Sequence, residues 1–208
     1  MDWTRLRTVL CIGAHCDDIE IGCGGTLLAL RERVPGLAIH WAVLSGAGDR
    51  EAETRQAGAD LLGRSLQVSV AGHRNSYFPA EWGAIKDLFE KLKDEVEPDL
   101  ILTHWLDDRH QDHRVAAELA WNTFRRHSIL EYEIPKYDGD LGRPNLYVPL
   151  TVAQVERKLE VLMRHYPSQL SRSWFRPEVF RGLLAVRGVE CNAPSGYAEG
   201  FHARKLIM

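Results

Sequence analysis

Short apolar runs separated by stretches of helical spacing constrain this chain more than any single motif in it. Thr8 to Ile12, Leu37 to Leu44, Leu66 to Val70, Asp99 to Thr103 and Ile129 to Ile134 each read as a strand. Between them lie helical patterns: Gly25 to Arg33, with Leu27, Leu28 and Leu30 inward; Arg50 to Leu62, closed by Gly63; Trp82 to Glu95; and Val115 to Phe124. Strands alternating with helices imply right-handed crossovers and a mostly parallel sheet, so the expected class is α/β. Beyond Ile134 the pattern loosens. A Pro- and Gly-rich loop is expected from Pro135 to Pro149, a long helix from Thr151 through His165, and a late strand from Phe180 to Val186.

With 208 residues and 45% hydrophobic content, the chain can bury one sizeable core, and residues 1–208 are read as a single domain. The formal net charge of −3 is spread along the chain without a like-charge run, which argues against a nucleic-acid partner. The first apolar run is too short for a signal segment, and no stretch approaches the ~20 apolar residues of a spanning helix. No membrane insertion and a cytoplasmic location are the expectation. Cys11, Cys16, Cys23 and Cys191 form no CxxC pair and are read as reduced thiols.

The first strand runs into Cys11 to Thr26, CIGAHCDDIEIGCGGT. Open α/β sheets place their ligands at the carboxyl ends of their strands, which is where His15, Asp17 and Asp18 fall. So many polar groups within four residues are costly to bring together unless a cation shares them. The fourth strand ends in a second constellation: His104, Asp107, Asp108, His110, Asp112 and His113. If strands one and four are neighbours, both loops line one crevice. His15, Asp18 and His113 then supply two nitrogens and one oxygen, the three-ligand set of a catalytic zinc with one open position. Asp17 is the candidate base for water in that position, and His110 the candidate protonated donor to an oxyanion. Asp112 could hold the His110 ring and raise its pKa. His104 is read as a hydrogen-bonded core histidine. Gly22, Gly24 and Gly25 do not form a GxGxxG and are read as close packing at a helix N-terminus.

At this point the residues resemble a known family. AHCDDIEIGCGGT is similar to the AHPDDE signature of the PIG-L/LmbE-like zinc-dependent N-deacetylases, and HQDH to their downstream H-x-D-H element. Arg50-x-x-Glu53 followed by Leu62-Gly63, Ser168-Gln169, and YAEGF from Tyr197 to Phe201 resemble further family elements, so the likeness spans nearly the whole chain. It implies a Rossmann-like fold and a divalent metal on His15, Asp18 and His113. It also implies Asp17 as general base, and His110 with Asp112 handling the oxyanion and leaving amine. Arg50 would reach a sugar hydroxyl. Zn2+ is the expected cofactor, with Fe2+, Co2+ or Mn2+ able to take its place. The implied substrate is a small molecule carrying an N-acetylglucosamine-type amide, free or linked to a nucleotide, lipid or glycoside. Cys16 stands where the family has Pro, which removes a φ restraint from the turn.

Other readings remain open. A non-acetyl amide, such as a thiol-sugar conjugate, would make the protein another metal-dependent amidase. A nucleotide-sugar-binding transferase could use Asp17 and Asp18 on Mg2+, although imidazole ligands suit zinc better. The fold could also serve binding alone. The loop from Tyr132 to Pro149, with Lys136, Tyr137, Asp138, Asp140, Arg143 and Asn145, is expected to form one wall of the cleft. His202 could project into that cleft from the far side, and apolar residues near the C-terminal helix could serve a homo-oligomer.

Overall fold

The protein is described here by a computed structural model covering residues 2–63 and 66–207. Its strands are β1 (Thr8–Gly13), β2 (Ala38–Val43), β3 (Gln67–Val70), β4 (Leu100–His104), β5 (Ser128–Tyr132), β6 (Leu146–Pro149) and β7 (Ala198–Lys205). Its helices are α1 (Asp18–Arg33), α2 (Asp49–Leu62), α3 (Trp82–Glu95), α4 (Gln111–Thr123), α5 (Val152–His165) and α6 (Pro177–Glu190). One seven-stranded sheet has the order β3-β2-β1-β4-β5-β7-β6. Pairings from β3 through β5 are all parallel. β7 runs antiparallel to both of its neighbours, so it alone is reversed in this sheet. This is the Rossmann-like α/β arrangement expected from the alternation.

β1 shows why the strands read as continuous apolar runs. Val9 and Cys11 belong to one buried cluster, with residues of α1, α2, α5 and α6; Leu10 and Ile12 belong to another, with residues of α3 and α4. A strand covered on both faces has no polar side to alternate with. β1 also pairs with β2 on one side and β4 on the other, so the strand order turns back beside it. The expected adjacency of strands one and four is therefore present, and it sets the two polar loops side by side.

The structure corrects several expected boundaries. Phe180 to Val186 is helix, not strand: Pro177 starts α6, and the buried Phe180, Leu184 and Arg187 follow helical spacing. The late strand is β7 instead, and the expected loop from Pro135 to Pro149 ends in its partner β6. α4 begins at Gln111 rather than Val115, so His113 is helical.

The first helix starts at Asp18, seven residues before Gly25, and the glycine cluster lies inside it. Close packing there is real. A Cβ on Gly22 would stand 2.5 Å from Cγ of Tyr132, and one on Gly25 would strike Leu150. A trace of the expected helix start also survives: the Gly25 and Thr26 amides donate to the buried Glu199 at 2.8 and 2.7 Å, as first-turn amides do to a cap. The Lys158 ammonium bonds the same carboxylate at 2.6 Å and the Ile21 carbonyl at 2.7 Å.

Tyr132 cannot retreat from Gly22, because its hydroxyl donates to the Ile12 carbonyl at 2.6 Å. Gly22→Ala should therefore lower stability by about 1–3 kcal/mol through overpacking, despite the ~1 kcal/mol gain in helix propensity. Denaturant unfolding measures this, and a variant as stable as the parent chain would refute the packing account.

Candidate metal centre and catalytic site

β1 ends at Gly13, and a turn carries the chain into α1. Asp18 folds back over that turn, its Oδ2 accepting the His15 amide at 2.6 Å. The Ala14 amide donates to His104 Nε2 at 2.9 Å across the β1–β4 pair, tying the turn to the end of β4. The 105–110 loop then leads to the first turn of α4, which brings His110, Asp112 and His113 over His15.

The two expected histidine ligands are held alike. His15 Nε2 meets Asp112 Oδ2 at 3.1 Å, and His113 Nδ1 meets Asp108 Oδ2 at 3.0 Å. A carboxylate on the outer nitrogen fixes the tautomer and aims the inner lone pair, as for metal-binding histidines. The inner nitrogens, His15 Nδ1 and His113 Nε2, face each other at 3.2 Å. Asp18 closes the third side with both of its oxygens, Oδ2 at 3.3 Å from His15 Nδ1 and Oδ1 at 3.6 Å from His113 Nε2. Ligands ~2.1 Å from a tetrahedral ion lie ~3.4 Å apart, so the triangle has metal-binding dimensions.

Two other triads share His113: His15 with His110, and Asp18 with His104. In each, the additional histidine has one ring nitrogen engaged. His104 Nε2 takes the Ala14 amide, and His110 Nδ1 accepts the Asp112 amide at 3.2 Å as the N-cap of α4. His104 is thus the hydrogen-bonded core histidine expected, stacked on His113 at 3.9 Å.

The charges agree with a cation site. Burial, aided by His104, pushes His113 down to about 3, so it stays neutral and keeps its lone pair. His15 moves the opposite way: burial opposes its charge, but Asp18 and Asp112 prevail and carry it up to about 10. A triangle of two inward lone pairs and a carboxylate calls for one positive charge. In the metal-free protein a proton on His15 supplies it, and a divalent ion binding there must displace that proton.

Asp17 and Arg50 stand beside this triangle. Burial raises the Asp17 pKa, and Arg50 opposes the rise, donating to Oδ1 at 2.9 Å. Arg50 also donates to Glu53 at 3.1 Å and to Ser168 Oγ at 2.9 Å, with 26% of its side chain exposed. Glu53 in turn accepts the amide and hydroxyl of Ser168. Arg50 therefore links Asp17 to Glu53, on its own helix, and to Ser168, distant in sequence.

One expected contact is absent. Asp112 does not hold the His110 ring: its Oδ2 serves His15 and the Ser76 amide, and its Oδ1 accepts the Phe78 amide at 3.1 Å. Nor is His110 raised, since burial and the neighbouring His15 lower it. With Nδ1 accepting, its proton sits on Nε2, making His110 a neutral donor. His202 stacks on Trp105, 4.4 Å apart and near parallel, and burial lowers it to about 4. Cys16 points away from the triangle, its thiol on the Ser45 carbonyl and pushed up to about 12 by burial. The Cys16 carbonyl takes the Thr54 and Tyr166 hydroxyls at 2.7 and 2.6 Å, and Tyr166 also bonds Glu20. These bonds brace a turn that lacks the proline restraint.

The sequence reading assigned no role to Asp108, Glu20, Tyr166 or the Ser76 and Phe78 amides. Asp108 alone left a signal, an acid five residues before His113.

The family model for PIG-L, described as GlcNAc-PI de-N-acetylase, matches residues 10–124. An uncharacterized deacetylase, YaiS, from Escherichia coli strain K12 is 32% identical over 145 residues, which is 63% of this chain and 76% of that protein. The chain belongs to the PIG-L family, and it is a hydrolase of the N-deacetylase type. Among solved structures, N,N'-diacetylchitobiose deacetylase from Pyrococcus horikoshii superposes with a TM-score of 0.74 at 22% identity, covering 96% of this chain and 84% of that one. GalB, the 4-carboxy-2-hydroxymuconate hydratase of Pseudomonas putida KT2440, gives 0.70 at 17%, covering 97% and 98%. These two likenesses concern the fold. No helix among the described residues is long and apolar enough to cross a membrane.

Because the His15 proton must leave, metal affinity should rise with pH from about 7 toward about 10, about tenfold per unit for one proton displaced. Competition with a chromophoric chelator across that range measures it. A pH-independent affinity would show that no proton leaves His15 when the ion binds.

Proposed function

We propose that this protein is a metal-dependent N-deacetylase acting on an N-acetylglucosamine-type amino sugar, with zinc held by His15, Asp18 and His113. The observation that carries this reading is the pair of inner imidazole nitrogens, 3.2 Å apart and flanked by Asp18, each backed by a carboxylate. Iron, cobalt or manganese would also suit two nitrogens and an oxygen. When bound, the ion supplies Lewis acidity, polarising the amide carbonyl and lowering the pKa of water to about 7.

The rest is work for side chains. Asp17, buried and raised, accepts the proton of the attacking water, and Arg50 holds its carboxylate in place. His110 presents its Nε2–H to the oxyanion that develops on the acetyl carbonyl oxygen. The C–N bond then breaks, Asp17 returns its proton to the departing amine, and acetate leaves with the oxygen of water. Arg50, partly exposed beside Asp17, can in addition meet a sugar hydroxyl. The deacetylase YaiS supports an acetyl amide as the bond cleaved.

The direct test pairs metal analysis with acetate release from a panel of N-acetylglucosamine derivatives, before and after chelation. Near-stoichiometric metal and chelator-sensitive acetate are expected; metal with a larger acid as product would instead identify another amide. His110→Ala should keep its metal and lose on the order of 10² to 10³ in turnover, the usual cost of an oxyanion donor. Full activity in that variant would sink the assignment of His110.

A further inference from the structure

Behind His113 lies a lysine that the mechanism leaves unused. Lys136 follows β5, in the segment expected to wall the cleft, yet its side chain is only 8% exposed. Its ammonium donates to Asp108 Oδ2 at 3.0 Å, the same oxygen that meets His113 Nδ1 at 3.0 Å. It also donates to both oxygens of Asp140, at 2.9 and 2.7 Å. Asp140 Oδ2 accepts the amide of Arg109 at 2.7 Å, and Arg109 adjoins His110.

This is a closed circuit. It runs from His113 through Asp108, Lys136 and Asp140 back to the loop carrying His110. A buried ammonium is costly unless its partners are well placed, and here two buried carboxylates share it. Without that charge Asp108 and Asp140 would face each other as like charges, and Asp108 would have no fixed partner beyond His113 and the His110 amide, which it accepts at 2.7 Å.

We propose that Lys136 is a positioning residue for the metal centre: it clamps Asp108 against His113 and fastens residues 136–140 to the loop that carries Asp108 and His110. The inference rests on the reading of His113 as a metal ligand. Groups that orient metal-binding histidines usually matter 10- to 100-fold in metal affinity, and Lys136 acts one bond further out.

The test is Co2+ and Zn2+ affinity by chelator competition, together with the visible absorption spectrum of the Co2+ form. Lys136→Met should bind both ions about 10-fold more weakly, at the low end of that range, and alter the Co2+ spectrum. Lys136→Arg, which keeps the charge, should recover most of the affinity. A folded Lys136→Met with unchanged affinity and spectrum overturns the proposal. Should Lys136→Met fail to fold, Asp140→Asn is read in the same assay, where weakened binding supports the clamp and unchanged binding overturns it. His15→Ala separates the two levels. If it retains full metal binding, the metal-centre reading fails; if it loses metal while the Lys136 variant does not, only the clamp fails.

Discussion

Two imidazole nitrogens turned toward each other at 3.2 Å, with a carboxylate closing the third side, need a shared positive charge. Much of the surrounding structure makes that arrangement unavoidable. Adjacency of β1 and β4 brings the two loops together. Asp112 and Asp108 take the outer nitrogens, so neither ring can turn away. The N-termini of α1 and α4 both open at the site, where helix dipoles favour the carboxylates of Asp17, Asp18 and Asp112. Even a strained residue takes part. Ser76 has φ of 69°, and its amide donates to Asp112 at 2.6 Å. Backbone in that region is seldom adopted by a residue with a Cβ, and here it aims a donor at the carboxylate that orients His15.

The parallel half of the sheet was legible because its strands are buried on both faces and leave uninterrupted apolar runs. α3 was legible to the residue, since Ile85, Phe89 and Leu92 mark a single inward face. The rest failed for identifiable reasons. Phe180 to Val186 offers an apolar run without showing its period, because buried Arg187 is polar by composition. Arg187 is core because Glu133 accepts from its Nε and Nη2 at 2.9 and 2.7 Å, with Glu190 and the Gly142 carbonyl taking its other donors. β7 reads as polar because Glu199 and His202 are buried against partners far away in sequence. Local periodicity cannot register a partner 174 residues distant.

The site divides in the same way. His15, Asp17, Asp18, His110 and His113 are visible because they cluster at two strand ends. Their supports are not, because an amide from Ser76 or a hydroxyl from Tyr166 has no signature in composition. The assignment of Asp112 to His110 shows the hazard of short spacing. The two are near in sequence, but Asp112 lies in the first turn of a helix whose N-cap is His110, and the carboxylate points across to His15. Cys16 is instructive for the opposite reason: the rigidity a proline would give at that turn comes from hydroxyls donated by α2 and by the segment after α5.

β7 has a consequence for biosynthesis. It sits between β5 and β6, and β6 has no other strand neighbour among the described residues. Until residues 198–205 have emerged from the ribosome, β5 remains an open edge and β6 an unpaired strand, both prone to pairing with another chain. The Gly25 and Thr26 amides likewise wait for Glu199, so the helix that begins with Asp18 completes its buried hydrogen bonding only once residue 199 has been made. Contacts of such sequence separation form slowly. A nascent chain of this protein therefore carries an open sheet edge before its partner strand exists, leaving an interval in which chaperone protection matters most.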